Sequence, residues 1–293
     1  MTERLEVDAP APLFAFLAER LAGWSRNTIR QRLDLGCVRV NGEQVTRRDH
    51  GLSKGDEVTV VGRDAGEPAP QGTRGFPTLF ADDELVAIDK PAGLLSVSTG
   101  RANERSALAL LRSALERPGR PAPLWPVHRL DRETSGVLLF ARTREARAAV
   151  QAAWREAQKT YLAIVEGRPE PGEGVVEAPL WEDKDLVVRV GDGPGAKAAR
   201  TRYRTRDTAG ARALLEVELD TGRRQQIRAH LAHIGHPVVG DERHGTAGPR
   251  LGLHALRLCL GHPRHGRALE LEAPPPRAFL ELLRGAGADP RGR

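Results

Sequence analysis

Leu13, Phe14, Phe16, Leu17 and Leu21 fall on one face of a 3.6-residue period, which predicts a short amphipathic helix. Ser25 is placed to cap a second helix from Arg26 to Leu35, and Gly36 to close it. The period then changes. Val38-Arg39-Val40 alternates, Asn41-Gly42 supplies a tight turn and Val45 resumes the alternation, a hairpin pattern. Gly55-Asp56 precedes a further short strand from Glu57 to Val61. From Gly62 to Thr73 apolar periodicity disappears and Gly, Pro, Ala and charge take over, the composition of a linker. These shifts divide the chain into a small unit at 1–63, a linker at 64–76, a larger unit at 77–285 and a tail at 286–293.

In the larger unit Leu85-Val86-Ala87-Ile88 reads as a buried strand ending in a turn at Asp89-Lys90-Pro91-Ala92-Gly93. Helical spacing runs from Arg105 to Leu115 and again from Arg144 to Ala157, with Val150 and Trp154 on one face. Strands are expected at Val137–Phe140, Lys159–Val165, Leu186–Val190 and Leu214–Leu219, with a loop at Pro169–Glu173. A helix is expected to start near Gln226, and a terminal one to cover Ala278 to Leu283. Several strands with few regular crossover helices point to an α+β fold on a mixed, largely antiparallel sheet with flanking helices, preceded by a small α/β unit.

The bulk numbers narrow the classes. Of 293 residues, 40% are hydrophobic, enough for a core, while the mean hydropathy of −0.43 is that of a water-soluble chain. No apolar run reaches the length of a membrane span, and Met1-Thr2-Glu3-Arg4-Leu5-Glu6 lacks the pattern of a signal peptide. Cys37 and Cys259 lie far apart and suit a reducing compartment, so a cytoplasmic protein is expected. The net charge is +6, with arginine far outnumbering lysine. That balance permits a polyanionic partner through counterion release and bidentate phosphate contacts, without requiring one.

The chemistry concentrates in His128-Arg129-Leu130-Asp131-Arg132-Glu133-Thr134-Ser135-Gly136, directly before the apolar run Val137-Leu138-Leu139-Phe140. This arrangement places a carboxylate on a turn at the edge of a buried strand, presented to a cleft. The segment resembles the HRLDxxTSG signature of the RluA-type pseudouridine synthases, which isomerise uridine in ribosomal and transfer RNA. The resemblance implies that Asp131 is the catalytic residue and that Arg129 fills the gap left in the RNA stack when the uridine swings out, although the sequence equally allows Arg129 to be a phosphate contact. Thr221-Gly222-Arg223-Arg224-Gln225-Gln226-Ile227-Arg228-Ala229-His230 is similar to the family's TGRTHQIRxH motif, whose last arginine, here Arg228, pairs with the catalytic Asp. Arg224 and Gln225 depart from the usual Thr or Ser and His. Lys159-Thr160-Tyr161-Leu162-Ala163 resembles the KxYxA strand, which implies that the Tyr161 ring packs against the flipped uracil.

Three further segments resemble family motifs without obvious chemistry of their own. They are Asp89 to Val97, then His236-Pro237-Val238-Val239-Gly240-Asp241, where the usual later tyrosine is His244, and Leu253-His254-Ala255 with His262-Pro263. The N-terminal unit resembles the S4 RNA-binding domain through Ser25 to Ile29, Gly36 to Gly42 and Lys54-Gly55-Asp56. There Arg26, Arg30 and Arg39 are expected to contact RNA, as is Arg223 in the larger unit.

The reaction the resemblance implies breaks the bond from ribose C1′ to uracil N1, turns the base and rejoins it through C5. It involves no redox change, so no cofactor is expected. It needs a carboxylate and an extruded base. His230, His233 and His236 near Asp241 could suggest a metal cluster, but Gly235 and Pro237 interrupt the helix and zinc-ligand spacing is missing, so no metal is expected. Ser135 lacks the glycine two residues before it that a nucleophile elbow needs. The reading is therefore an RNA pseudouridine synthase, monomeric, acting on ribosomal RNA or tRNA. A non-catalytic RNA-binding or ribosome-assembly factor that keeps the fold is the alternative, and an N-glycoside hydrolase would need a second carboxylate to activate water.

Overall fold

The computed structural model of the protein describes residues 3–21, 29, 33, 38–45, 50–60, 76–98, 105–116 and 122–285. The N-terminal unit is built from β1 (Glu3–Glu6), β2 (Ala11–Pro12), α1 (Leu13–Arg20), β3 (Val38–Val40), β4 (Glu43–Gln44), β5 (Gly51–Leu52) and β6 (Glu57–Val60). Its antiparallel sheet has the order β1-β6-β3-β4. The alternation of Val38 and Val40, and of Val58 and Val60, turns one face of this sheet inward. Leu13, Phe16 and Leu17 of α1 close over it, together with helical Ile29 and Leu33. The second helix expected at Arg26–Leu35 lies outside the described residues except at those two positions, and Arg26 and Arg30 lie outside them too. Arg39 is exposed on β3.

The larger unit adds β7 (Thr78–Ala81), β8 (Leu85–Lys90), α2 (Ala107–Leu115), β9 (Trp125–Pro126), β10 (Ser135–Ala141), α3 (Arg144–Ala152), β11 (Gln158–Glu166) and β12 (Glu173–Glu177). β13 (Leu180–Glu182), β14 (Val188–Val190), β15 (Arg200–Ala209), β16 (Arg212–Leu219), α4 (Gln226–His233), β17 (Leu253–Gly261), β18 (Ala268–Glu272) and α5 (Arg277–Arg284) follow. A ten-stranded sheet runs β12-β15-β16-β11-β17-β10-β8-β7, with β18 beside β17 and β9 beside β10. Only the β10–β17 pair is parallel; the others in this sheet are antiparallel.

Period-two alternation sends each central strand to two cores. Val86, Ile88, Leu138 and Phe140 pack under α2 through Leu108 and Leu111, while Leu85, Ala87, Val137 and Leu139 meet Ala146 and Val150 of α3. In β11, Ala163 and Val165 meet Ile227 and Leu231 of α4, and Leu162 and Ile164 meet Phe279 of α5. Burial on both faces explains why these strands read as continuous apolar runs.

Several boundaries differ from the sequence expectation. Asp89 and Lys90 belong to β8, so the turn begins at Pro91. The helix from Arg144 ends at Ala152, where the Ala153 N–H returns to the Ala149 carbonyl, and Trp154 then stacks on His128 at 5.0 Å. Leu186, expected in a strand, has φ +59° in the turn between β13 and β14 and is exposed. Phe76, placed in the linker by composition, is buried with the α2 core.

One contact sets the spacing at the centre of the sheet. Ser135 and Gly136 pair with His254 and Ala255, and Gly136 has φ +111°. A Cβ there would stand 2.1 Å from the Ala255 carbonyl oxygen, so backbone geometry and space both demand glycine. Gly136→Ala should therefore lose about 3 kcal/mol or more, from left-handed strain plus a backbone clash. Urea unfolding checks this, with Gly51→Ala, where a Cβ meets nothing within 4 Å, as the near-neutral control.

Candidate active site

Asp131 lies in the loop between β9 and β10, where the chain leaves the edge of the sheet. β9 pairs with β10 only at Trp125 and Pro126. Beyond it His128 Nε2 accepts the Leu139 N–H at 3.0 Å, satisfying a strand amide that β9 no longer reaches. Leu130 is buried in the α2 core while Arg129 on one side and Arg132 on the other are exposed. The carboxylate thus sits on a short arch with an apolar foot.

The arch is held from below by the segment after β8. Ser96 Oγ, itself buried, accepts the Leu130 N–H at 2.9 Å and donates to the Leu130 carbonyl at 2.8 Å. Lys90 is fully buried, and its ammonium donates to the carbonyls of Pro91, Leu94 and Arg132 at 2.9, 2.8 and 3.1 Å. Burial pushes the Lys90 ammonium down to about 8, against the charges of Glu133 and Asp131. It stays largely protonated near neutrality, with its three donors matched to three acceptors. The Gly93 N–H adds a second bond to the Arg132 carbonyl, and the Thr134 N–H closes on the Asp131 carbonyl.

Arg228 on α4 reaches this arch from the opposite side. Its Nε and Nη2 each donate at 2.6 Å to Asp241, which is completely buried, and its Nη1 donates to Asp131 Oδ2 at 3.1 Å. Burial disfavours the Arg228 charge, but the bonds to Asp241 and the two carboxylate charges outweigh it and hold the guanidinium above its ordinary value. For Asp241, burial is likewise overcome by Arg228 and by the Arg243 N–H, leaving the carboxyl below its usual range. Asp131 Oδ1 accepts no hydrogen bond among the described residues.

Tyr161 lies at a β-bulge in β11, at the contact between the α2 and α4 cores. Burial and the Asp131 charge push its hydroxyl up to about 12, so it remains a donor at neutral pH. Arg129, Asp131, Tyr161, Arg223 and Arg228 line one cleft of about 240 Å³, with Leu130, Leu219, Ile227 and Leu253 supplying apolar wall. Asp131 is the sole carboxylate among the lining residues.

Each of the two departures in the Thr221–His230 segment has a partner. Arg224 forms an ion pair with Glu182 at 2.7 Å, and Gln225 Oε1 accepts from His244 Nε2 at 3.3 Å. The histidines near Asp241 disperse. His230 bonds Thr201 and the Ala178 carbonyl, and His236 bonds the Glu166 carbonyl. Ser135 is buried between His254 and Arg250. His254 Nε2–H donates to the Ala273 carbonyl, so Nδ1 takes the serine proton in a closed structural bond.

Sequence reasoning gave Asp241, Lys90 and Ser96 no role at the site, although all three stand in motif-like segments. The available signal was their chemistry. A lysine ending a buried strand and an aspartate after Gly240 both need partners.

Among solved structures, the chain is similar to human RNA pseudouridylate synthase domain containing 4, with a TM-score of 0.58 and 27% identity over 69% of this chain and 90% of that one. The fold is that of the pseudouridine synthases. A family model for RNA pseudouridylate synthase matches residues 84–233, and one for the S4 domain matches residues 12–58. Ribosomal large subunit pseudouridine synthase D of Nitrosomonas europaea is 36% identical over 285 residues, covering 91% of this chain and 82% of the relative. Ribosomal large subunit pseudouridine synthase C of Vibrio cholerae is 35% identical over 283 residues, covering 88% of each. The chain belongs to the RNA pseudouridylate synthase family and carries an S4 domain.

Two outcomes follow from this geometry. Asp241→Asn should lower kcat about 100-fold with little change in KM, because Arg228 loses its bidentate anchor and Asp131 its fixed orientation. Steady-state tritium release from RNA labelled at uridine C5 measures it. His128 is pushed down to about 4, chiefly by burial and also by Lys159. Its native value lies below the unfolded one, so the stability it lends is complete above pH 6.5 and declines as pH falls toward 4, by about 3 kcal/mol. Urea midpoints across that window should flatten in His128→Gln, and an unchanged slope would remove His128 as the cause.

Proposed function

We propose that the protein isomerises uridine to pseudouridine in large-subunit ribosomal RNA, with Asp131 as the reacting carboxylate. The observation that carries the assignment is the cleft itself. Its one carboxylate is tethered through a single oxygen to a buried cation, while the other oxygen remains uncommitted. Arg228 sets a fixed positive charge against Asp131 in a cleft whose other walls are largely apolar. Tyr161 offers a flat ring for the extruded uracil and a protonated hydroxyl at its edge. Arg129 is exposed at the mouth and makes no ion pair among the described residues, as suits a planar cation that enters the vacated place in the RNA stack. Arg223 lies on the same rim, exposed and placed to meet phosphate.

The reaction breaks C1′–N1 and forms C1′–C5. The C5 proton is lost and N1 gains one, so the net change is an isomerisation that draws on no redox partner and no cofactor. The ribosomal target is supported by the printed names of the relatives and by the S4 domain, whose exposed Arg39, with Arg26 and Arg30, would deliver structured RNA. We take the protein to act as a monomer. No helix among the described residues is long and apolar enough to cross a membrane, and action in the cytoplasm is proposed because the named relatives are ribosomal large subunit pseudouridine synthases.

The test is carbodiimide-stopped primer extension on total RNA, comparing cells that carry the wild-type protein with cells that carry only Asp131→Ala. One or a few stops in large-subunit ribosomal RNA should vanish in the variant. If every stop persists while the variant and the wild type both bind RNA, the protein acts as a binding or assembly factor instead.

A further inference from the structure

We propose that Gln225 is a specificity residue of the uridine site, whose side-chain amide donates a hydrogen bond to a carbonyl oxygen of the extruded uracil. The inference rests on the assignment of the Asp131 cleft as that site. Gln225 lines the cleft with Asp131 and Tyr161. Its carbonyl oxygen is already occupied by the His244 Nε2–H, at 3.3 Å. Burial holds His244 below its ordinary value, so the ring is neutral and has one N–H to give. In this arrangement the amide's two N–H donors are left on the other side. They meet no acceptor among the described residues.

The other donors of the cleft are mostly engaged. The Arg228 nitrogens are divided between Asp241 and Asp131, the Gln226 amide is held by the Arg200 carbonyl and Thr201, and Arg224 is paired with Glu182. Uracil differs from cytosine in presenting an acceptor, O4, where cytosine presents an amine. A neutral, oriented N–H donor is the group that reads this difference. Gln225 also has φ +50° at the start of α4, a conformation that glycine would adopt without strain. A long polar side chain retained there, and tied by a second residue, points to use of the side chain. His244 is then a positioning residue that acts through Gln225.

Two near-isosteric substitutions separate this from a structural bond. Gln225→Glu keeps the acceptor for His244 and removes the donors; Gln225→Met removes both without adding charge. The assay is tritium release from large-subunit ribosomal RNA transcribed with uridine labelled at C5, using the full chain. Wild-type release that Asp131→Ala abolishes fixes the uridine site. Both Gln225 variants are then expected to lose 10- to 100-fold in kcat/KM while binding the transcript as the wild type does. His244→Ala should lose about threefold to tenfold, and Gln225→Met with His244→Ala should be no worse than Gln225→Met alone. Near-wild-type activity in Gln225→Met overturns the proposal, and a loss confined to Gln225→Glu does so as well, since that is charge repulsion. Independent, multiplying losses in the double variant overturn the role given to His244. No release from the wild type would overturn the site assignment and this proposal with it.

Discussion

A guanidinium that is almost wholly enclosed must be neutralised, and the way Arg228 meets that demand governs the rest of the site. Asp241 takes it in a two-pronged contact from a fully buried position, reinforced by the N–H groups of Arg243 and His244. Asp131 takes only the remaining nitrogen. The two carboxylates are therefore unequal. Asp241 takes two of the three bonds from the cation and Asp131 one, so the cation is anchored mainly by Asp241 and Asp131 keeps an uncommitted oxygen. A buried pair of this kind adds little net stability, but removing one member leaves an uncompensated charge. Its value here is placement.

Placement of Asp131 itself comes from the other side, through backbone. Ser96 and Lys90 grip the carbonyls that flank the residue, so its arch has no freedom to tilt. Arg228 arrives on α4, whose foot is the β11 core, whereas the Asp131 arch stands on the α2 core. These two bodies meet through β17, which lies between β10 and β11. The close approach of Gly136 to Ala255 sets the distance between β10 and β17, and with it the reach from Arg228 to Asp131. Gly136, in the strand that follows the Asp131 arch, thus helps determine the 3.1 Å contact between Arg228 and Asp131.

The parts of this arrangement that sequence exposes are those carried by side-chain pattern. Leu85–Ile88, Val137–Phe140 and Lys159–Val165 are strands with both faces buried, and their apolar runs announce it. Asp131, Tyr161 and Arg228, read from motifs in separate segments, do converge on one cleft. What escaped is of two kinds. β15 alternates Arg200, Arg202, Arg204 and Arg206 with Thr201, Tyr203 and Thr205, so a hydrophobic period is nearly invisible although the strand is ten residues long. Lys90 and Ser96 work through backbone groups of Arg132 and Leu130, far along the chain, and Asp241 through Arg228 across the end of α4, and no helical or strand period reports such contacts. The helix from Arg144 was read too long because Trp154 continues its apolar stripe. The ring serves another surface, stacking on His128.

The same partition settles what the arginine excess means. On β15 and β16 the exposed arginines face acids: Arg200 and Arg202 meet Asp220, and Arg204 and Arg206 meet Glu216. Such a face is close to neutral and offers a phosphate little, however basic the chain as a whole. Arg224 at the cleft rim is quenched in the same way by Glu182. Arg129 and Arg223 are different, for they stand at the mouth of the cleft with no acid paired to them among the described residues. Counterion release depends on charges that remain available to phosphate. The net charge of +6 therefore says little about which surface is available to phosphate, whereas Arg129 and Arg223 mark where charge stays unpaired by an acid among the described residues.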